Sequence, residues 1–163
     1  MRDRDQAGRP RNARPRDGLG RPLPRDADAD DEPRIPDDLS LPPEDAARLA
    51  DQLLGDGRPF HAHEVLEASW KTGPSGERDL WQGLAQIAVG LTHAHRGNAR
   101  GAVTLLRRGA ERVRGYRLAG GRPDVYGMDV DRVTDTALTL ADDIERHGLA
   151  SIPGAALRPR LLG

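Results

Sequence analysis

The sequence predicts an all-α fold, a compact bundle of about five helices with antiparallel helix hairpins, and three observations predict it. After residue 40, apolar residues recur at helical spacing in five stretches. Glycine, proline and asparagine punctuate the gaps, where helices begin and end. No stretch of useful length alternates apolar and polar residues as a half-buried strand must. With 163 residues, 36% of them apolar, the chain has material for one core and little more.

Residues 1–38 read as a disordered charged tail. Met1 to Arg25 carries eight arginines against three aspartates, a net charge of +5. From Asp26 to Asp38 seven acids face one arginine, a net −6. Such a polar, proline-rich stretch buries too little to offset the entropy lost on ordering. Its halves attract each other, and its arginine-rich half is the one segment expected to meet nucleic acid. Residues 39–150 form the expected bundle domain, and residues 151–163 an irregular C-terminal tail.

The first helix opens in "SLPPEDAARLADQLL", with prolines at the entry and Glu44 and Asp45 near the positive end of the dipole. Ala46, Leu49, Ala50 and Leu53 form its stripe, and "GDGRP" ends it. The second runs from about Pro59 to Lys71, and "TGPSGE" follows as a loop. The third, from about Glu77 or Arg78 to Arg96, is apolar on nearly every side and so belongs at the centre. Gly83, Gly90 and Gly97 recur there every seven residues, a stripe that lets a neighbour approach closely. Gly97 caps that helix and Asn98 starts the fourth, so the two form an antiparallel hairpin. "GGRPDVYGMD" reads as irregular. The fifth helix runs from about Val130 to Arg146 with Val133, Ala137, Leu140, Ala141 and Ile144 inward.

Composition excludes several classes. No cysteine is present, which removes disulfides, cysteine zinc sites and thiol nucleophiles. No apolar run reaches the roughly 20 residues a membrane helix needs and no secretory signal is visible, so a cytoplasmic location with no membrane partner is the expectation. Only 3% of residues are aromatic, leaving few platforms for stacking bases. The arginines of the fourth helix, Arg100, Arg107, Arg108, Arg112 and Arg114, read as a solvated face around Glu111. His95 and His147 sit near helix C-termini, where the dipole favours a protonated imidazole.

Candidate chemistry lies in "FHAHEVLEASW". At about 100° per residue, His63, Glu67 and Trp70 fall within an arc of about 60°, flanked by Phe60 and Leu66. Glu64 lies at the edge of that stripe, and His61 is expected to point away into solvent. On the third helix Gln82, Gln86 and His93 share a comparable line. Buried polar groups are costly without partners, so the two lines are expected to face each other as a polar seam.

"HEVLEASW" followed by "LWQGLAQIAVGLTHAHRGNARGAVTLL" resembles the small helical prokaryotic proteins grouped as domain of unknown function 309. That family's pattern of His, three residues, Glu, two residues, aromatic corresponds to His63, Glu67 and Trp70. The resemblance spans about Phe60 to Val113. It implies an all-helical domain and suggests that the histidine and glutamate bind a metal, and it brings no established activity.

Three readings of the seam follow. In the first, His63 and Glu67 share partners with Gln82 and Gln86 and fix helix register. In the second, His63, Glu67 and His93 hold a divalent ion such as Zn²⁺, Mn²⁺ or Fe²⁺, while Glu64, Trp70, Gln82 and Gln86 line a ligand space. A di-iron bundle pattern is absent. In the third, Glu67 orients His63 as a general base in metal-free or hydrolase-like catalysis, although no nucleophile lies on the stripe and no catalytic residue is assigned. A non-catalytic module that dimerises or receives a partner helix is the remaining class.

Overall fold

The computed structural model describes residues 41–72 and 74–163, without the side chains of Trp70 and Thr72. The charged segment 1–38 and the inward placement of Trp70 therefore lie outside the described residues. Five helices make up the body: α1 Pro43–Gly55, α2 Pro59–Thr72, α3 Arg78–His95, α4 Ala99–Leu118 and α5 Val130–His147. Helix α3 is the centre, packed on α2 along one flank and most closely on α4 along another, while α1 covers α2 and α5 covers α4. Leu80, Trp81, Leu84, Ile87, Ala88 and Leu91 of α3 are all buried.

The helix ends explain the hairpins. Both α1 and α3 close on a left-handed glycine, Gly57 at φ 74° and Gly97 at φ 83°. At α1, Arg58 N–H donates to the Leu53 carbonyl and Gly57 N–H to that of Leu54. At α3, Asn98 and Gly97 repeat the pattern on His93 and Ala94. These bonds satisfy carbonyls that a helix end leaves orphaned. Asn98 then caps α4, its side chain accepting from Gly101 N–H.

The glycines of the α3–α4 crossing are explained by contact. A Cβ on Gly83 would lie 2.7 Å from Val113 Cγ2 and 2.8 Å from the Gly109 carbonyl oxygen, and one on Gly109 would lie 2.6 Å from the Gly83 oxygen. Only glycine lets the two backbones come this close.

"GGRPDVYGMD" is more ordered than the expected irregular stretch. Strands β1 Asp124–Val125 and β2 Met128–Asp129 pair antiparallel around Tyr126 and Gly127. Both turn residues have positive φ, 53° and 80°, the geometry of a type I′ hairpin. A tyrosine at the first turn position hides this hairpin from sequence, because asparagine or aspartate is its usual sign. Here Tyr126 is held from outside: its hydroxyl donates to Glu77 Oε2 at 2.6 Å and its ring stacks on Trp81 at 5.8 Å. Trp81 Nε1 donates to the other oxygen of Glu77 at 3.1 Å. Burial and then the Glu77 bond push the Tyr126 hydroxyl up to about 12.

The last residues also fold back onto the bundle. Residues 151–163 contain no α-helix, but short 3-10 turns at Leu149–Ser151 and Gly154–Leu157 lead into a bridge between Met128 and Leu162. Leu161 is buried in the core beside this bridge.

Candidate functional site

The buried arc of α2 is not the one its aromatic residues suggest. Ala62, Val65 and Leu66 are its inward residues, because α2 is packed between α1 and α3 and small aliphatic side chains let both neighbours close in. His61 lies on this arc and is 2% exposed, correcting the expectation that it points to solvent. Its ring meets Phe60 edge to face at 6.3 Å. Centring the stripe on His63, Glu67 and Trp70 rotates it away from the inward direction that Ala62, Val65 and Leu66 mark, which is the source of that error.

His63 and Glu67 occupy the rim of the arc, partly exposed, and are bonded to each other. His63 Nε2 lies 2.7 Å from Glu67 Oε2, and Lys71 Nζ lies 3.6 Å from the other oxygen. The His63 hydrogen bond, partly offset by burial and helped by the charges of His63 and Lys71, holds the Glu67 carboxyl below its ordinary 4.5. With Nε2 facing a carboxylate, a neutral His63 carries its proton there and turns a lone pair out at Nδ1. That Nδ1 is buried and has no hydrogen-bond partner. The Phe60 ring, 5.5 Å from the imidazole, walls one side.

On α3 the expected line divides. Gln86, partly exposed, has a buried Oε1 with no hydrogen-bond partner. His63 lies nine residues before the end of α2 and Gln86 eight after the start of α3, so in this antiparallel pair they sit at nearly the same height, about 12–14 Å from the connection. Gln82 turns to α4 instead and accepts from Arg112 Nη1 at 2.8 Å. His93 turns to the α3–α4 link, where its Nδ1 lies 3.0 Å from Asn98 Nδ2. Because Asn98 Oδ1 accepts from Gly101 N–H, the amide nitrogen must face His93, and Nδ1 is the acceptor. Burial, and then the charge of Arg96, lower the His93 pKa from 6.5. Glu64 is half-buried on α2.

This geometry bears on each chemical reading. Among the described residues, no group of three or more His, Asp or Glu side chains could hold a metal ion. His63 and Glu67 offer two donors where a catalytic zinc site has three protein ligands, and His93 is engaged elsewhere, so the residues brought together do not fit a tightly held metal. For nucleophilic chemistry, Ser69 Oγ donates to the Val65 carbonyl and Thr92 Oγ1 to that of Ala88, so neither hydroxyl is oriented by the imidazole. A register role meets a different obstacle, since the His63–Glu67 bond lies within one helix and crosses to no other.

Two polar clusters escaped sequence reasoning. Asp51 lies on the inward face of α1, 4% exposed, where "AARLADQLL" already shows an acid in the apolar stripe. It accepts from Arg160 Nη2 at 2.7 Å, from Arg160 Nε at 3.0 Å, and from Leu161 N–H at 2.7 Å. Glu77, which reads as a loop acid, anchors Trp81 and Tyr126, and no local pattern announces that role.

Comparison with known proteins finds similarity over part of the chain. Residues 48–105 match the family model described as domain of unknown function (DUF309). Over 87 residues the chain is 32% identical to the uncharacterized protein YpuF of Bacillus subtilis (strain 168), covering 53% of this chain and 48% of that protein. The chain thus spans about half the length of this curated relative. No solved structure matches it. The matched segment runs from α1 into α4 and contains His63, Glu67, Gln82, Gln86 and His93. Over residues 48–105 the chain is thus similar to the domain of unknown function 309 family.

Proposed function

We propose that this domain binds a small polar ligand at the α2–α3 seam, with the His63–Glu67 pair and Gln86 as its recognition groups. The observation that carries this reading is a pair of unmatched buried atoms, His63 Nδ1 and Gln86 Oε1, on facing helices at the same height. An unsatisfied buried polar atom costs about 1–3 kcal/mol. A pair kept only for architecture would spend those atoms on each other or on the backbone. Glu67 fixes the imidazole tautomer from behind, leaving Nδ1 to accept from a ligand O–H or N–H.

Gln86→Met, similar in volume and without the orphaned oxygen, tests this by denaturant unfolding with and without a panel of small alcohols, amides and amines. The variant is expected to be more stable than the wild type by about 1–3 kcal/mol, and to lose the response to any compound that stabilises the wild type. A variant less stable than wild type, together with a wild type that no compound shifts, would show that the seam serves helix packing alone.

A further inference from the structure

We propose that Arg58 and Arg158, at the turn between α1 and α2, form a binding site for an oxyanion, a phosphate or carboxylate group. Gly57 links the two residues, since it precedes Arg58 in the chain and lies against Arg158. The Arg158 guanidinium packs against this glycine so closely that a Cβ there would lie 3.2 Å from Arg158 Nε and Nη2. Arg58 is the next residue in the chain, and its Nη2 is buried with no hydrogen-bond partner. A guanidinium stays charged at any physiological pH, so unlike a histidine it cannot relieve burial by losing a proton. An unmatched buried donor on such a group is among the costliest a fold can carry.

No acid of the chain meets this demand among the described residues. The nearest buried carboxylate on α1, Asp51, is consumed by Arg160 and by the Leu161 and Leu162 amides. Asp56, on the same turn and exposed, makes no ion pair with another described residue. Among the described residues neither Arg58 nor Arg158 forms a salt bridge, whereas Arg107, Arg112, Arg114, Arg117 and Arg160 all do. An external oxyanion would accept from the buried Nη2 of Arg58 and from the planar fork of Arg158, the pairing that guanidinium geometry favours.

Thermal unfolding of the full chain, titrated with inorganic phosphate or with acetate at constant ionic strength, tests the site. Phosphate or acetate at tenfold its Kd is expected to raise the wild-type Tm by about 3–6 °C, and the stronger of the two identifies the preferred anion. Arg58→Met and Arg158→Gln should each weaken that response at least tenfold in anion concentration. Arg58→Met should also raise the Tm without anion, since it removes the unmatched charge. The distant Arg114→Gln should respond as wild type. Equal responses in all four proteins would reveal general ion screening and overturn the site, as would a wild type that responds to neither anion. If Arg58→Met does not fold, Arg158→Gln decides alone, because that side chain is exposed.

Discussion

His63 and His93 lie on adjacent helices and are held in opposite ways. His63 gives its Nε2 side to a carboxylate, and His93 accepts from an amide while burial disfavours its charged form. The His93 arrangement predicts a pH dependence. Its folded pKa lies below 6.5, so as pH falls through 6.5 the unfolded chain takes up the proton first. The stability contributed by neutral His93 is complete above 6.5 and is lost as pH falls toward the depressed value. His93→Gln should flatten the stability profile of the full chain between pH 7 and 5, and an unchanged slope would dissociate His93 from it. Glu67 acts lower on the scale. Its folded pKa lies below 4.5, so its contribution is complete above 4.5 and lost as pH drops below that, and Glu67→Gln should remove this loss. At this scale the sequence was half legible. Spacing identified the His63–Glu67 contact, because an i, i+4 pair needs only a helix. It misplaced His61, since the inward direction depends on two neighbours that a single helix does not reveal. It could not assign Gln82 to Arg112 rather than to α2, because that choice is made by α4.

The α3–α4 hairpin was the most legible element, and two of its glycines, Gly97 and Gly109, are there for different reasons. Gly97 is needed for its positive φ, with open space around its α-carbon. Gly97→Ala should therefore cost about 1–2 kcal/mol, the price of a left-handed alanine, with packing intact. Gly109 has an ordinary helical backbone and no room. Its Cβ would strike the Gly83 oxygen at 2.6 Å and the Ile87 backbone nitrogen at 2.8 Å, so neither obstacle is a flexible side-chain tip. Gly109→Ala must push α3 from α4 along the whole crossing, and a loss of about 3 kcal/mol or more is expected in denaturant unfolding. A loss at Gly109 no greater than that at Gly97 would mean that the crossing is looser than these contacts require. The seven-residue glycine repeat signals the close approach, but only the partner helix separates a glycine that fits from one that turns. The β1–β2 hairpin was illegible for the complementary reason, since Tyr126 is held in its turn by Glu77 and Trp81, far away in sequence.

Across the whole molecule, charge is used mainly to join elements that the apolar core leaves free to slide. Arg107 of α4 reaches Asp142 and Glu145 of α5, Arg112 reaches Asp79 of α3, and Arg117 reaches Asp131. Three of the six arginines of α4 are thereby engaged with neighbouring helices, while Arg114 pairs with Glu111 of α4 itself. No helix among the described residues is long and apolar enough to cross a membrane. The longest reach belongs to Asp51, which ties α1 to the end of the chain more than a hundred residues later. Burial raises its carboxyl, but the bonds from Arg160 and the Leu161 and Leu162 amides outweigh this and leave it below 3.8. Its stabilising effect is thus complete above pH 3.8 and is lost as pH falls below it. Asp51→Asn keeps the shape but removes the charge, and turns an amide N–H₂ toward donors. Because the Arg160 head is largely in water, the expected loss is about 2–3 kcal/mol rather than the larger cost of breaking a fully buried pair. The damage should be local first. Amide exchange should quicken at Leu161, Leu162 and Gly163, and at Asp129, whose N–H donates to the Leu161 carbonyl. The amides of α3 and α4 should stay slow, because their contacts do not pass through Asp51. Exchange that quickens uniformly would make Asp51 a core residue like any other, and exchange that does not change at Leu161 and Leu162 would show that the segment is held by Leu161 burial alone.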